Sequence, residues 1–187
     1  MNENRSSLST GDSGLTIISG GQTGVDRAAL DAALQLEIPI SGWCPGGRRA
    51  EDGRIPPKYS LQETDSWNYA VRTEWNVRDS DGTLIITMDS ISGGTKLTVK
   101  LARRYGKPLH VIRLMDVSAD AAVENSPTQS VQSVVDWMAS RKIRILNVAG
   151  PRGTSDERIY PQARQFCENV FAALVSTSAE CDQSTRA

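Results

Sequence analysis

Five short apolar runs mark the chain, each bounded by turn residues: LTIIS from Leu15, IPISGW from Ile38, TLIITM from Thr83, LHVIRL from Leu109 and ILNVA from Ile145. Apolar runs of this length without polar alternation predict strands buried on both faces, as in a parallel sheet. Helical periodicity fills the intervals, over residues 25–36, 67–79, 96–105 and 131–141. Near the end, Ile159, Ala163, Phe166, Val170 and Leu174 recur at spacings of three and four and predict an amphipathic closing helix.

Strands alternating with helices imply an α/β architecture, a parallel sheet of about five or more strands with helices on both faces. In such sheets ligands bind beyond the carboxyl ends of the strands. The glycine-rich segments nearly all follow predicted strands: SGGQTG the first, CPGGRR the second, SGGT the third and AGPRGT the fifth. The pattern predicts four loops converging on one edge of the sheet.

Residues 1–13 and 177–187 are small and polar and read as disordered tails around one domain, 14–176. Residues 118–132 read as a polar surface loop. The segment WCPGGRRAEDGRIPPKYS, from Trp43, exceeds a simple turn and reads as functional or mobile. A net charge of −1 offers no bulk attraction to nucleic acid or an anionic membrane, so any anion site must be local. No apolar run reaches the ~20 residues of a membrane span, and the polar start lacks a signal-peptide core. Cys44, Cys167 and Cys181 show no metal spacing, and with no export signal the expected location is cytoplasmic.

Each glycine loop has a chemistry of its own. Gly20, Gly21 and Gly24 permit positive φ and clear side chains from the path of a ligand. The helix beginning near Thr23 would point free N–H groups into that loop, an anion site to which Gln22 and Thr23 could add side-chain contacts. Thr23 and Asp26 also fit a capping box, which makes Asp26 a structural residue first. Gly93, Gly94, Thr95 and Lys96 repeat the design. Gly150 and Arg152 stand in the fifth loop, where Thr154 and Glu157 form a second capping-box candidate. Arg48 in the long second loop could close over an oxyanion. Cys44, His110, Trp67 and Trp75 read as packing residues, the two tryptophans on one helical face.

These segments carry a specific resemblance. SGGQTGVDRAALDAAL, GWCPGGRRAEDGRIP, YAVRTEWNVRDSDGTLII, SGGTKLT and LNVAGPRGT, in that order, resemble the molybdenum carrier family, proteins similar to the molybdenum cofactor carrier protein. The resemblance spans roughly residues 15–175. It implies a Rossmann-like fold, within the superfamily that includes the lysine-decarboxylase-like LOG phosphoribohydrolases. It further implies molybdenum cofactor (molybdopterin) or another phosphate-bearing ligand, and a homo-oligomer such as a tetramer. A molybdoenzyme recipient would follow from a carrier role. From the enzyme branch it also implies a ligand contact by Arg72, nine residues before Asp81. That branch places a catalytic glutamate just after its glycine loop; here Leu97 and Thr98 occupy those positions, which argues against hydrolysis. Glu51, Asp52, Glu74 and Asp89 remain as displaced carboxylates.

Three functions therefore compete. The first is a non-catalytic carrier of an anionic pterin or nucleotide. The second is a nucleotide-processing hydrolase with a displaced acid. The third is a sensor of a nucleotide-derived ligand.

Overall fold

The computed structural model describes residues 14–114 and 127–184. Five strands form one parallel sheet: β1 (Thr16–Ile18), β2 (Ile40–Ser41), β7 (Gly82–Thr87), β8 (Leu109–Arg113) and β9 (Ile145–Ala149). Between β2 and β7 lie four two-residue strands, β3 (Trp43–Cys44), β4 (Arg49–Ala50), β5 (Gly53–Arg54) and β6 (Gln62–Glu63). They pair as β3 with β6 and β4 with β5, outside the main sheet. The helices are α1 (Val25–Gln35), α2 (Tyr69–Asp79), α3 (Gly93–Arg104), α4 (Pro127–Arg141) and α5 (Ile159–Ser184).

The expected α/β, Rossmann-like arrangement is present. Burial follows the apolar runs only in the middle of the sheet. Every residue of β7 is buried. At the rim, Val111 and Arg113 of β8 are exposed, because β8 has a strand on one side only. The expectation of strands buried on both faces fails there.

One face carries α1, α4 and α5, packed with Ile17, Leu84, Leu146 and Val148 in the principal core. Ala28, Ala29, Ala32 and Ala33 of α1 are fully buried, and their small side chains let α1 lie between sheet and α5. On the other face Val77 of α2 packs with Leu101 and Ala102 of α3. Residues 127–132, expected in a loop, belong to α4, and the rest of that stretch lies outside the described residues. Residues 177–184, expected in a tail, continue α5; residues 1–13 and 185–187 lie outside the described residues. Among the described residues no helix is long and apolar enough to cross a membrane.

The strand order is β2-β1-β9-β7-β8. If counting starts at β9 and runs on through β1, β2, β7 and β8, this order reads 3-2-1-4-5. These are five of the six strands of the doubly wound nucleotide-binding sheet, with the last strand and helix of this chain in the place of the first. The order reverses between β9 and β7, and there the crevice of such a sheet opens.

Candidate functional site

A cleft of about 410 Å³ opens at that reversal point. Its walls are the segments after β7 and β9, the first turn of α2, Gln22 from the loop after β1 and Asp26 from the first turn of α1. Of the four glycine loops expected to converge, three do. The second, around Gly46 and Gly47, begins an excursion that packs against α1. Arg48 belongs to that excursion. Its guanidinium donates to the carbonyls of Ile55, Pro56, Tyr59 and Leu61, at 2.9 to 3.1 Å. Those bonds consume its donor face, so Arg48 holds its own loop together rather than closing over a ligand.

The first loop is packed rather than open. A Cβ on Gly20 would stand 1.5 Å from Arg72 Nη1, and one on Gly21 would stand 2.6 Å from Leu61 Cδ1. Gly24, at φ +77°, would place a Cβ 2.4 Å from the Pro151 carbonyl oxygen. The amide hydrogens expected to face an anion are spent internally. Gln22 N donates to Asp26 Oδ2 at 3.3 Å, Thr23 N to Gln22 Oε1 at 3.1 Å and Val25 N to the Pro151 carbonyl at 3.2 Å. The capping box of Thr23 and Asp26 does not form: Gly24 is the N-cap and no side chain caps the helix.

Asp26 instead lies at the base of the cleft, 3% exposed, in an ion pair of 3.0 Å with Arg72 Nη1. Burial pushes its carboxyl above the ordinary carboxylate range, and the Arg72 charge only partly opposes this. Arg72 is thus at the site, but not with Asp81. Asp81 Oδ2 accepts from the N–H groups of Arg144 and Ile145, beside the start of β9.

The third loop is open. Ser92 is the N-cap of α3, with no side-chain cap bond. A Cβ on Gly93 or Gly94 would meet nothing within 4 Å. Both glycines and the buried Thr95 line the cleft. The free helix N-terminus therefore belongs to α3 and not to α1. Lys96 is exposed and lies outside the lining. On the opposite wall Gly150 is held against the Ile86 carbonyl, 2.2 Å from where its Cβ would be. Arg152 lies over the Tyr69 ring at 5.3 Å from its centroid.

Thr23 and Thr154 meet through Glu51. Thr23 Oγ1 donates to Glu51 Oε1 in a very short contact and accepts from Gly153 N at 3.1 Å. Thr154 donates to the same carboxylate from its N–H at 3.2 Å and from its hydroxyl at 2.7 Å. Thr154 is therefore not the cap of α5, which begins at Ile159. Glu51 N in turn donates to Gln22 Oε1 at 2.9 Å.

Two buried side-chain polar atoms among the described residues lack a partner, Gln22 Nε2 and Arg72 Nε, and both residues line the cleft. Because Gln22 Oε1 accepts from two backbone N–H groups, the amide is fixed with its NH₂ turned away from them. Buried donors without acceptors are rare, and a water or a ligand in the cleft would satisfy them.

The remaining residues pack as the sequence suggests, with one exception. Cys44 is buried with Leu30, Ile55, Tyr59 and Leu61. His110 stacks on Trp137 at 5.2 Å. Trp75 meets Trp43 edge-on at 4.6 Å, but Trp67 precedes α2 and is 72% exposed, so the two tryptophans do not share a packed helical face. Sequence reasoning undervalued Asp26 and did not single out Tyr69. The available signal was the acid two residues after Gly24, at the end of GGQTGVD.

Comparison with known proteins agrees with this geometry. The model of the circularly permutated YpsA SLOG family matches residues 17–171. No curated protein matches. A solved structure described as a "putative molybdenum carrier protein", from Syntrophus aciditrophicus, is 45% identical, covering 83% of this chain and 93% of that one with a TM-score of 0.76. The chain belongs to the circularly permutated YpsA SLOG family.

Proposed function

We propose that this SLOG-family chain binds and carries a phosphorylated or otherwise oxyanionic small molecule in the cleft between β7 and β9. The observation that carries the reading is the pair of buried, unpartnered donors, Gln22 Nε2 and Arg72 Nε, in one cleft. Both are donors, so the complement is an acceptor-rich ligand. The uncapped start of α3 and the Arg152 guanidinium add anion-compatible groups on two further walls. The volume of about 410 Å³ falls in the usual range of roughly 300–1,000 Å³ for small-molecule sites. It suits a pterin or nucleotide rather than a bare tetrahedral anion.

Molybdenum cofactor fits this donor set through its phosphate and the polar edge of its pterin. Among the described residues no group of three or more His, Cys, Asp or Glu converges as metal ligands, and Cys44 and Cys167 are packed away from the cleft. Molybdenum would thus be held through its pterin, with Gln22, Arg72, Thr95 and Arg152 binding the organic part. The described carrier at 45% identity supports this choice. We place the protein in the cytoplasm as a homo-oligomer, with a molybdoenzyme as recipient. Sedimentation at micromolar concentration tests the assembly.

The test of the ligand is mass spectrometry of small molecules released from purified protein, followed by titration of the compound found into Thr95→Val and Arg152→Ala. Each variant should lose about tenfold or more in affinity, the value of one hydrogen bond to a charged group. Unchanged binding in both would place the ligand elsewhere.

Asp26 gives the hydrolase reading a specific foothold. A buried carboxyl held above its usual range can act as a proton donor to a leaving group. Release of free base from a nucleoside monophosphate at about 1 s⁻¹, inside the ordinary enzyme range, would establish that reading over the carrier.

A further inference from the structure

We propose that the Thr23–Thr154 cradle, formed by chain neighbours of the cleft residues Gln22 and Arg152, is a second oxyanion subsite, which Glu51 fills with its own carboxylate in the ligand-free chain. Thr23 Oγ1, Thr154 N and Thr154 Oγ1 converge on that one carboxylate. They come from the loops after β1 and β9, the two strands that adjoin in the sheet. Glu51 comes from outside that sheet, from the turn between β4 and β5. The Arg152 charge acts on the same carboxylate and lines the cleft. Beside it lies Gln22, 4% exposed, with its Nε2 unpartnered. Donors from two loops thus close on an acidic side chain supplied by a third segment, with the Arg152 charge acting on it and the Gln22 side chain held against its backbone N–H. A carboxylate and a phosphate present equivalent acceptor oxygens to such donors.

The hairpin does not depend on Glu51 for its place. Asp52 pairs with Arg27 of α1, through a short contact and a second bond of 2.8 Å. Arg48 ties the far side of the excursion together. Ile55, Tyr59 and Leu61 are buried against Leu30. The Glu51 side chain can therefore leave while the backbone around it stays.

The inference depends on the cleft reading only for the class of ligand, an oxyanion, and its test uses inorganic phosphate alone. A merely structural Glu51 and a stand-in for a ligand predict opposite signs. If Glu51 occupies an anion subsite, Glu51→Ala opens it, and calorimetry should show phosphate binding at least tenfold tighter than in the parent. Adding Thr154→Val to Glu51→Ala should remove most of that gain. Adding Arg164→Ala instead should leave it, because Arg164 pairs with Glu168 on α5 and lies outside the cleft lining. Glu51→Gln keeps the shape but loses the charge, and should show part of the gain. Folding of each variant is followed by thermal melting. Folded Glu51→Ala or Glu51→Gln protein with no gain in phosphate binding would overturn the proposal. Loss of the fold in both variants would make the carboxylate a structural clip and would overturn it equally.

Discussion

The loops SGGQTG and SGGTK differ by little in sequence and by a great deal in use. In the first, each glycine is required because another part of the protein occupies the space of its side chain: Arg72 at Gly20, Leu61 at Gly21 and Pro151 at Gly24. In the second, Gly93 and Gly94 face open space. The amide hydrogens follow suit, spent on Asp26, Gln22 and Pro151 around α1 and uncapped at α3. A glycine loop before a helix therefore signals close approach, and only the fold tells whether protein or ligand approaches.

The sharpest way to break this contrast is Arg72→Ala, which uncovers Gly20 and leaves the Asp26 carboxylate buried without its partner. Removing one member of a buried ion pair costs about 3–5 kcal/mol, and urea unfolding should show that loss. Next comes Gly24→Ala, where the new methyl meets the Pro151 carbonyl at a left-handed backbone position. Overpacking alone predicts a loss of about 1–3 kcal/mol by the same measurement.

A smaller effect tests the anchoring of the closed side. Asp31 of α1 accepts from Lys58 Nζ at 2.7 Å, from Tyr59 OH at 3.0 Å and from Tyr160 OH at 2.8 Å. Partial burial would raise its carboxyl, but these bonds together outweigh that and hold it below the ordinary value of 3.8. A carboxyl depressed on folding stabilises the protein above the unfolded value and stops doing so as pH falls through the folded one. Asp31→Asn should therefore cost about 1 kcal/mol at neutral pH, solvent screening included, and the gap from the parent should close below pH 4. The smallest effect has the opposite sign. Gly94→Ala adds a methyl to α3 in open space and should stabilise the fold by roughly 0.5–1 kcal/mol, while weakening capture of the ligand recovered from the parent. If Gly94→Ala destabilised as much as Gly24→Ala, the two loops would be alike after all.

The sheet was legible in the sequence because apolar runs of five or six residues can hardly be anything but buried strands. Its edges were less so, since Val111 reads like Val148 until the neighbours of each are known. The site was partly legible. Gly93, Gly94, Thr95, Gln22, Gly150, Arg72 and Arg152 line the cleft. Gly21, Gly24 and Arg48 have their close contacts with other parts of the protein, and Lys96 is exposed outside the lining. Asp26 was obscured by its own spacing from Thr23, which matches a helix cap as well as it matches a buried acid. Its true partner, Arg72, is 46 residues away. No local pattern encodes that distance, and chain order misleads when the order itself is permuted.

The place of β9 has a consequence for how this molecule is made. β9 is the last of the five sheet strands to leave the ribosome, yet it is the middle strand, bonded to β1 on one side and β7 on the other. Until it is synthesised, the main sheet of the nascent chain can hold only two separate strand pairs, β1 with β2 and β7 with β8. The final strand does not extend a growing sheet; it inserts between two halves and joins them. The cleft, walled by the segments after β7 and β9, comes into being in that same step. Ligand capture is thereby tied to the arrival of β9, and a product stalled before residue 145 would lack the wall that carries Gly150 and Arg152.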